Sequence, residues 1–262
     1  MKINLIFNKF IPNYEQALLE VQKALDAYHI KYSVFDLENL KNDGDMSFVI
    51  GGDGTLLRAA RFYSKYNKPV LGINMGRLGF LSQAGLSQIS SVLDAVLSNH
   101  YMIEDRLMLE SGEYLALNDF VVKGCVSGRT SKFFLEVNGK FVCDYIADGI
   151  IISTPTGSTA YGLSAGGPIL YPDLDALVIV PICPHTLNVR PLVVPSSELI
   201  TVKTNDELLS VSIDGFVTTN YVEKINIKTS PYKAKLVFPE KNSFYSVLRN
   251  KLNWGVSPET NM

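Results

Sequence analysis

The chain has 262 residues, of which 47% are hydrophobic and 19% charged, and its formal net charge is −2 at pH 7. This is the profile of a globular protein with one large domain or two, long enough to bury most of its apolar surface. Lysines and arginines are scattered, so no basic stripe points to a nucleic-acid partner, and no apolar run approaches the ~20 residues of a membrane span. The cysteines, Cys125, Cys143 and Cys183, are odd in number and far apart, which argues against a disulfide framework. The histidines, His29, His100 and His185, lack metal-ligand spacing, and no dedicated metal cage is expected. Met1 runs straight into a strand-like segment without the pattern of a secretory signal. With the cysteine usage, this makes a reducing cytoplasm the expected home.

In chain order, the N-terminal part alternates strand and helix. Residues 2–7 read as a buried strand. Asn13 is placed to cap a helix running to about His29, with Gln16 at the capping-box position. Leu18, Val21, Leu25 and Tyr28 fall on one face of it. Residues 32–35 and 46–50 read as the second and third strands. The turn Gly51-Gly52-Asp53-Gly54-Thr55 follows directly, then a helix over 55–63 and a fourth strand over 69–74. Ile89, Val92, Leu93, Val96 and Leu97 mark a further amphipathic helix. Such alternation predicts an α/β domain, a mainly parallel sheet with helices on both faces. Its ligands sit beyond the carboxyl ends of the strands, and Asp53 lies at one such end.

Beyond residue 99 the pattern changes to short strands with few helices. Asn138-Gly139, between apolar runs at 133–137 and 140–145, is a strong hairpin signal. Further runs at 176–180, 199–203, 208–213, 224–228 and 234–238 predict a β-rich, sandwich-like domain over 100–238. The tail turns helical again over 243–252 and is expected to return to the first domain, so that 239–262 joins 1–99. Residues 257–262 are expected to fray.

Several segments carry chemistry. Glycine lets a backbone approach a ligand closely, and a helix N-terminus offers N–H groups and a positive dipole end to an anion. Gly52, Gly54 and Thr55 are therefore phosphate-contact candidates, and Asp53 is a candidate to accept a proton or to orient the group that gives it up. The alternative for Asp53 is a helix cap. A second block sends an apolar strand into Ser153-Thr154-Pro155-Thr156-Gly157-Ser158-Thr159-Ala160-Tyr161, followed by small residues that leave room for a flat, polar ligand. Asn118-Asp119 suits an adenosine, the amide pairing with a purine edge and the carboxylate with ribose hydroxyls; a plain turn is the alternative. Tyr161 reads equally as a stacking platform or a core aromatic, and Phe80 as a cover for the site or an anchor for its loop. Asp148 and Asp214 each precede a glycine and read as turn residues. His185 reads as a loop histidine, and Arg190 as a phosphate ligand or the partner of an acid.

Taken together, these segments, with Asn74-Met75-Gly76-Arg77-Leu78-Gly79-Phe80-Leu81 and Pro184-His185-Thr186-Leu187-Asn188-Val189-Arg190-Pro191, resemble the bacterial NAD kinases over nearly the whole chain. The resemblance to this ATP/polyphosphate-NAD kinase family implies transfer of the terminal phosphoryl of ATP to the 2′-hydroxyl of the adenosine ribose of NAD. It implies Mg²⁺ or another divalent cation entering with ATP, and a homodimer or homotetramer with no membrane and no nucleic acid. It implies Asp53 as the catalytic residue, with Gly52, Gly54, Thr55 and Arg58 at the ATP phosphates. Around the dinucleotide it implies Asp53, Gly54, Phe80, Asn118, Asp119, Asp148, Thr159, Ala160, Tyr161 and Ser164, with Arg77, Thr156, Ser158, His185, Arg190 and Asp214 as further contacts. The chain departs from many relatives at Asp119, where they carry Glu, and at Ile146, where they carry a basic or polar residue. Lipid kinases share the glycine-aspartate turn, but no basic amphipathic helix of the kind that lies on anionic lipid accompanies it here. A non-enzymatic dinucleotide sensor would keep the pocket without needing the catalytic carboxylate.

Overall fold

The structure, a computed structural model, describes residues 1–76, 79–82, 84–125, 130–186, 188–239 and 244–255. The chain divides into two compact units, Met1–Asp105 with Ala234–Met262, and Arg106–Lys233.

The first unit begins with β1 (Lys2–Phe7), α1 (Tyr14–Ala27), β2 (Lys31–Asp36), β3 (Met46–Ile50), α2 (Asp53–Ser64), β4 (Pro69–Asn74), β5 (Ala84–Gly85), α3 (Ile89–Leu97) and β6 (Met102–Arg106). The second contains β7 (Leu109–Ser111), β8 (Tyr114–Ala116), β9 (Asp119–Gly124), β10 (Ser131–Val137), β11 (Lys140–Ala147), β12 (Gly149–Ser153), α4 (Tyr161–Ser164), β13 (Ala176–Ile182), β14 (Leu192–Pro195), β15 (Ile200–Ile213) and β16 (Val217–Thr229). The chain then returns to the first unit with β17 (Ala234–Phe238) and α5 (Phe244–Leu252).

Among the described residues the first sheet is seven-stranded, in the order β2-β1-β3-β4-β17-β6 with β5 beside β4. Its β1–β2, β1–β3, β3–β4 and β4–β17 pairs are parallel. Strand residues alternate between faces. Ile3, Leu5, Phe48, Ile50, Leu71 and Ile73 form one core with Ala17, Val21 and Leu25 of α1 and Val92, Leu93 and Val96 of α3. α2 packs on β3, β4 and β17 through its own buried stripe of Leu56, Ala59, Ala60 and Tyr63. Burial on both faces explains why β3 is apolar and buried without interruption.

Two expectations change here. Asn13 precedes α1 with a left-handed backbone, φ 61°, and makes no side-chain capping bond, so there is no Asn13–Gln16 capping box. The run at 234–238 belongs to the first sheet, parallel to β4, and not to the β-rich unit. The division therefore falls at Asp105/Arg106 and Lys233/Ala234 rather than at 99/100 and 238/239. A short apolar strand reads alike in either sheet, and only its long-range pairing distinguishes them.

Among its described residues the second unit forms a ten-stranded sheet, in the order β14-β13-β12-β9-β15-β16-β7-β8 with the β10–β11 hairpin joined to β15. Its pairings are antiparallel. β15 unites two predicted strands across a register shift between Lys203 and Leu208, pairing β10 before it and β9 after it. The pairings connect into one sheet with two arms, β10–β11 and β9-β12-β13-β14, rather than into two separate layers. Phe133 and Leu135 of one arm share a core with Phe120, Val122, Ile150 and Ile152 of the other. Val121, Ile151, Val178 and Val180 fill the opposite face. The Asn138-Gly139 turn has φ 50° and 72°, as a two-residue hairpin loop requires.

Candidate active site

In the first unit the site is built where β3 ends. Gly51 has φ 151°, and a Cβ there would lie 2.7 Å from the Thr55 hydroxyl, so the turn requires glycine. Gly52 is the N-cap of α2, and Asp53 is its first helical residue rather than its cap. Thr55 is buried. Its N–H turns inward to the Gly52 carbonyl at 3.0 Å, and its hydroxyl accepts from Asn8 Nδ2 at 3.4 Å. The helix start leaves the N–H groups of Asp53 and Gly54 without intrahelical acceptors. Arg58 lies one turn further along α2, half-buried.

The Asp53 carboxylate is held by residues 80–82. Oδ2 accepts the Phe80 N–H at 2.7 Å. Oδ1 accepts the N–H groups of Leu81 and Ser82 at 3.2 and 3.3 Å and the Ser82 hydroxyl at 3.2 Å. Ser82 Oγ in turn receives Asn74 Nδ2 at 3.0 Å and the Gly79 N–H at 3.1 Å, and Asn74 Oδ1 receives the Gly76 N–H at 2.8 Å. Gly79 packs so closely that a Cβ would fall 1.7 Å from Asp53 Oδ1. The segment from Asn74 thus forms a seat for one carboxylate. Phe80 serves that seat through its backbone, and Arg77 and Leu78 lie outside the described residues. Asn74 and Ser82 carry this arrangement without having been singled out; Asn74 stood inside a quoted motif, and Ser82 just past it.

In the second unit, a cleft of about 490 Å³ is lined by Asn118, Asp119, Ala160, Tyr161, Asp214 and Gly215, with Val121, Lys123, Ser210, Ser212 and Thr218. That volume lies in the range of small-molecule sites. The last five were not singled out. Their signal is alternation: Ser210 and Ser212 interleave with the buried Leu209, Val211 and Ile213. Asp214 and Gly215 form a turn with φ 49° and 72°. The Asp214 carboxylate also accepts the N–H groups of Leu117, Asn118 and Asp119 at 3.0, 2.8 and 3.2 Å, fixing the Asn-Asp pair. Asn118 lies just before β9, so the pair joins two strands rather than interrupting one.

Asp119 is buried, and its carboxyl is pushed up to about 7, first by burial and then by the negative charge of Asp214. The folded state holds this proton at a pH where the unfolded chain, near 3.8, has lost it. The stability it contributes is complete below 3.8 and is lost as pH rises through about 7. Asp119→Asn, which mimics the neutral form, is expected to flatten the fall in Tm between about pH 5 and about pH 8 in thermal melts. An unchanged fall would locate the pH dependence elsewhere.

The hydroxyls of this turn are largely occupied with backbone carbonyls. Thr154 Oγ1 donates to the Leu117 carbonyl at 2.6 Å, Ser158 Oγ to the Pro155 carbonyl at 2.6 Å, and Thr159 Oγ1 to the Thr156 carbonyl at 3.2 Å. Thr156 is buried and accepts from Arg106 at 3.4 Å. These side chains shape the turn that presents Ala160 and Tyr161 to the cleft. Tyr161 is 40% exposed and so is not a core aromatic. Thr159 and Ser164 are not among the cleft's lining residues. Asp148, His185 and Arg190 are exposed and also lie outside that lining. The His185 N–H pairs with the Ile146 carbonyl at 2.8 Å, and Arg190 donates to the Val189 carbonyl at 2.8 Å.

The chain is similar in sequence and in fold to known proteins. Residues 15–101 match the ATP-NAD kinase N-terminal domain and residues 117–238 the ATP-NAD kinase C-terminal domain. The NAD kinases of Pseudomonas putida (strain W619) and Pseudomonas syringae pv. syringae are each 45% identical over 225 residues, which is 80% of this chain and 76% of theirs. An NAD kinase from Archaeoglobus fulgidus, solved in complex with ATP, has a TM-score of 0.81 at 26% identity, covering 97% of this chain and 99% of its own. Yeast NADH kinase, solved with NADH, shares the fold with a TM-score of 0.87 at 24% identity, covering 98% of this chain and 89% of its own. With both domains matched in order, and relatives so similar over most of its length, the chain belongs to the ATP-NAD kinase family.

Proposed function

We infer that this protein transfers the terminal phosphoryl group of ATP to the 2′-hydroxyl of the adenosine ribose of NAD. The observation that carries this reading is the seating of Asp53. Oδ1 is committed to three donors, while Oδ2 accepts Phe80 alone among the described residues. With one donor against three at Oδ1, Oδ2 is the less occupied oxygen and the one that takes the substrate hydroxyl. The ribose oxygen bonds to the γ-phosphorus as the bond to the β,γ-bridging oxygen breaks; the hydroxyl proton leaves and ADP departs. Such transfers gain mainly from alignment and from neutralising charge on oxygen. Asp53 aligns the hydroxyl and faces its departing proton. The first-turn N–H groups at Asp53 and Gly54 meet phosphate oxygens, with Arg58 as a nearby cation.

No three His, Cys, Asp or Glu side chains converge as a metal cage among the described residues. Magnesium enters with the donor, as Mg-ATP, held by phosphates and water as this ion prefers. In the cleft, Asn118 reads the purine edge, Asp119 a ribose hydroxyl, and Tyr161 stacks on a base. Thr159, Ser164, Asp148, His185 and Arg190 remain candidates for the margins of the dinucleotide. No described helix is long and apolar enough to cross a membrane. A cytoplasmic homodimer or homotetramer fits this reading, and Phe141, Val142 and Ile146, exposed on β11, offer an apolar strip for a second copy.

The test is incubation with NAD and Mg-ATP, read by an NADP-specific dehydrogenase and by ADP release. NADP with matching ADP is expected. Phosphorylation of diacylglycerol vesicles instead would favour a lipid kinase, and tight NAD binding without ADP a sensor; the family match favours neither.

A further inference from the structure

The cleft of the second unit has a floor of alternate strand residues. On β9 these are Asp119, Val121 and Lys123; on β15 they are Ser210 and Ser212, with Asp214 just past the strand's end. Lys123 pairs in register with Ser210, and Val121 with Ser212, which in turn faces Thr218 of β16. Cross-strand partners share a face. The floor is therefore acidic where Asp119 and Asp214 lie, hydroxyl-bearing along its middle, and basic at Lys123. Four residues of extended strand separate Asp119 from Lys123, a span of about 13 Å. A Cβ on Gly149 would meet Lys123 Cγ at 3.0 Å, so the aliphatic stem lies across that glycine. Lys123 is exposed, and no ion pair or hydrogen bond engages its ammonium among the described residues.

We propose that Lys123 is a specificity-determining residue: its ammonium, with the Ser210 hydroxyl beside it, pairs with the diphosphate of the acceptor, so that the cleft selects a dinucleotide over a bare nucleoside. The proposal rests on the acceptor reading above, in which Asn118 reads the purine edge and Asp119 a ribose hydroxyl. The diphosphate is joined to the 5′-carbon of that ribose, and the hydroxyl-bearing floor continues from Asp119 toward Lys123. A lysine on an open strand face is ordinarily a solvated charge. Here short serines and a threonine stand beside it in place of an acid, and each offers a donor. An anion with several oxygens satisfies such a set, because a hydrogen bond from an ammonium to a phosphate oxygen is stronger than one between neutral groups.

Lys123→Ala removes an exposed side chain, so the fold is expected to survive. Calorimetric titration of the full chain should show Kd values for NAD and for ADP-ribose raised about tenfold, the size of one charge-assisted hydrogen bond, with the Kd for adenosine unchanged. Lys123→Arg, which keeps the charge, should bind all three as the wild type does. The KM for NAD should rise with its Kd, and the KM for ATP should not. An unchanged Kd for NAD would overturn the assignment, as would an equal loss for adenosine, which would mean a distorted cleft. Weakened NAD with ADP-ribose unaffected would place the ammonium at the nicotinamide and overturn it as well. A wild-type protein that binds ADP-ribose through Lys123 but forms no NADP would refute the phosphotransferase reading and leave this one standing.

Discussion

Asp53→Asn is expected to lower kcat by about 100-fold or more, the lower end of what a positioned acid–base group contributes, while NAD still binds. The substitution is nearly isosteric, but its amide nitrogen is a donor facing donors. One oxygen of the carboxylate meets Phe80 N–H and the other meets Leu81, Ser82 N–H and Ser82 Oγ, so either orientation of the amide sets N–H against N–H. A backbone donor left unpaired costs about 1–3 kcal/mol, which loosens the 80–82 segment as well as removing the acceptor for the substrate hydroxyl. Ser82→Ala separates the two effects. It removes a donor to Oδ1 but keeps the carboxylate, and it should cost much less in kcat. Steady-state kinetics on both variants give the comparison. Near-normal turnover in Asp53→Asn would remove that side chain from the chemistry, and an equal loss in Ser82→Ala would make its role one of scaffolding.

Gly79→Ala tests the same seat from the opposite side. The added methyl would lie 1.7 Å from Oδ1 and 2.2 Å from Cγ of Asp53, distances at which one group must move. The obstacle is a side chain pinned by four hydrogen bonds, not the free end of a flexible one. Overpacking of this kind costs about 1–3 kcal/mol. A Tm lower by several degrees is expected in thermal melts, together with activity reduced at least as far as in Asp53→Asn. A fully active Gly79→Ala would mean that the observed seat of Asp53 is not the arrangement that turns over.

What could be read from the amino-acid order was whatever local periodicity and turn chemistry control. The centre of the first sheet was legible because β1, β3 and β4 are buried on both faces and the helices carry clear stripes, as in Val21 and Leu25 of α1 and Val92 and Val96 of α3. The glycine-aspartate turn was legible because a buried strand, a glycine with positive φ and a helix start coincide within a few residues. Long-range pairing was not. Nothing in Ala234–Phe238 itself says that it completes the first sheet, and nothing local joins Asp214 to the backbone of residues 117–119. The hydroxyl-rich block invited a ligand reading for every side chain, yet Thr154 and Ser158 satisfy backbone carbonyls within the protein. The raised carboxyl of Asp119 depends on burial and on a charge 95 residues away in sequence. Lys123 carried no motif, because the residues it meets on the floor of the cleft lie on β15.

The decisive measurement is the product of a single incubation with NAD and Mg-ATP, analysed by phosphorus NMR and mass spectrometry. A phosphomonoester on the 2′-oxygen of the adenosine ribose is expected, formed in equal amount with ADP. ADP release without a phosphorylated dinucleotide, or a phosphate on any other oxygen, would contradict it.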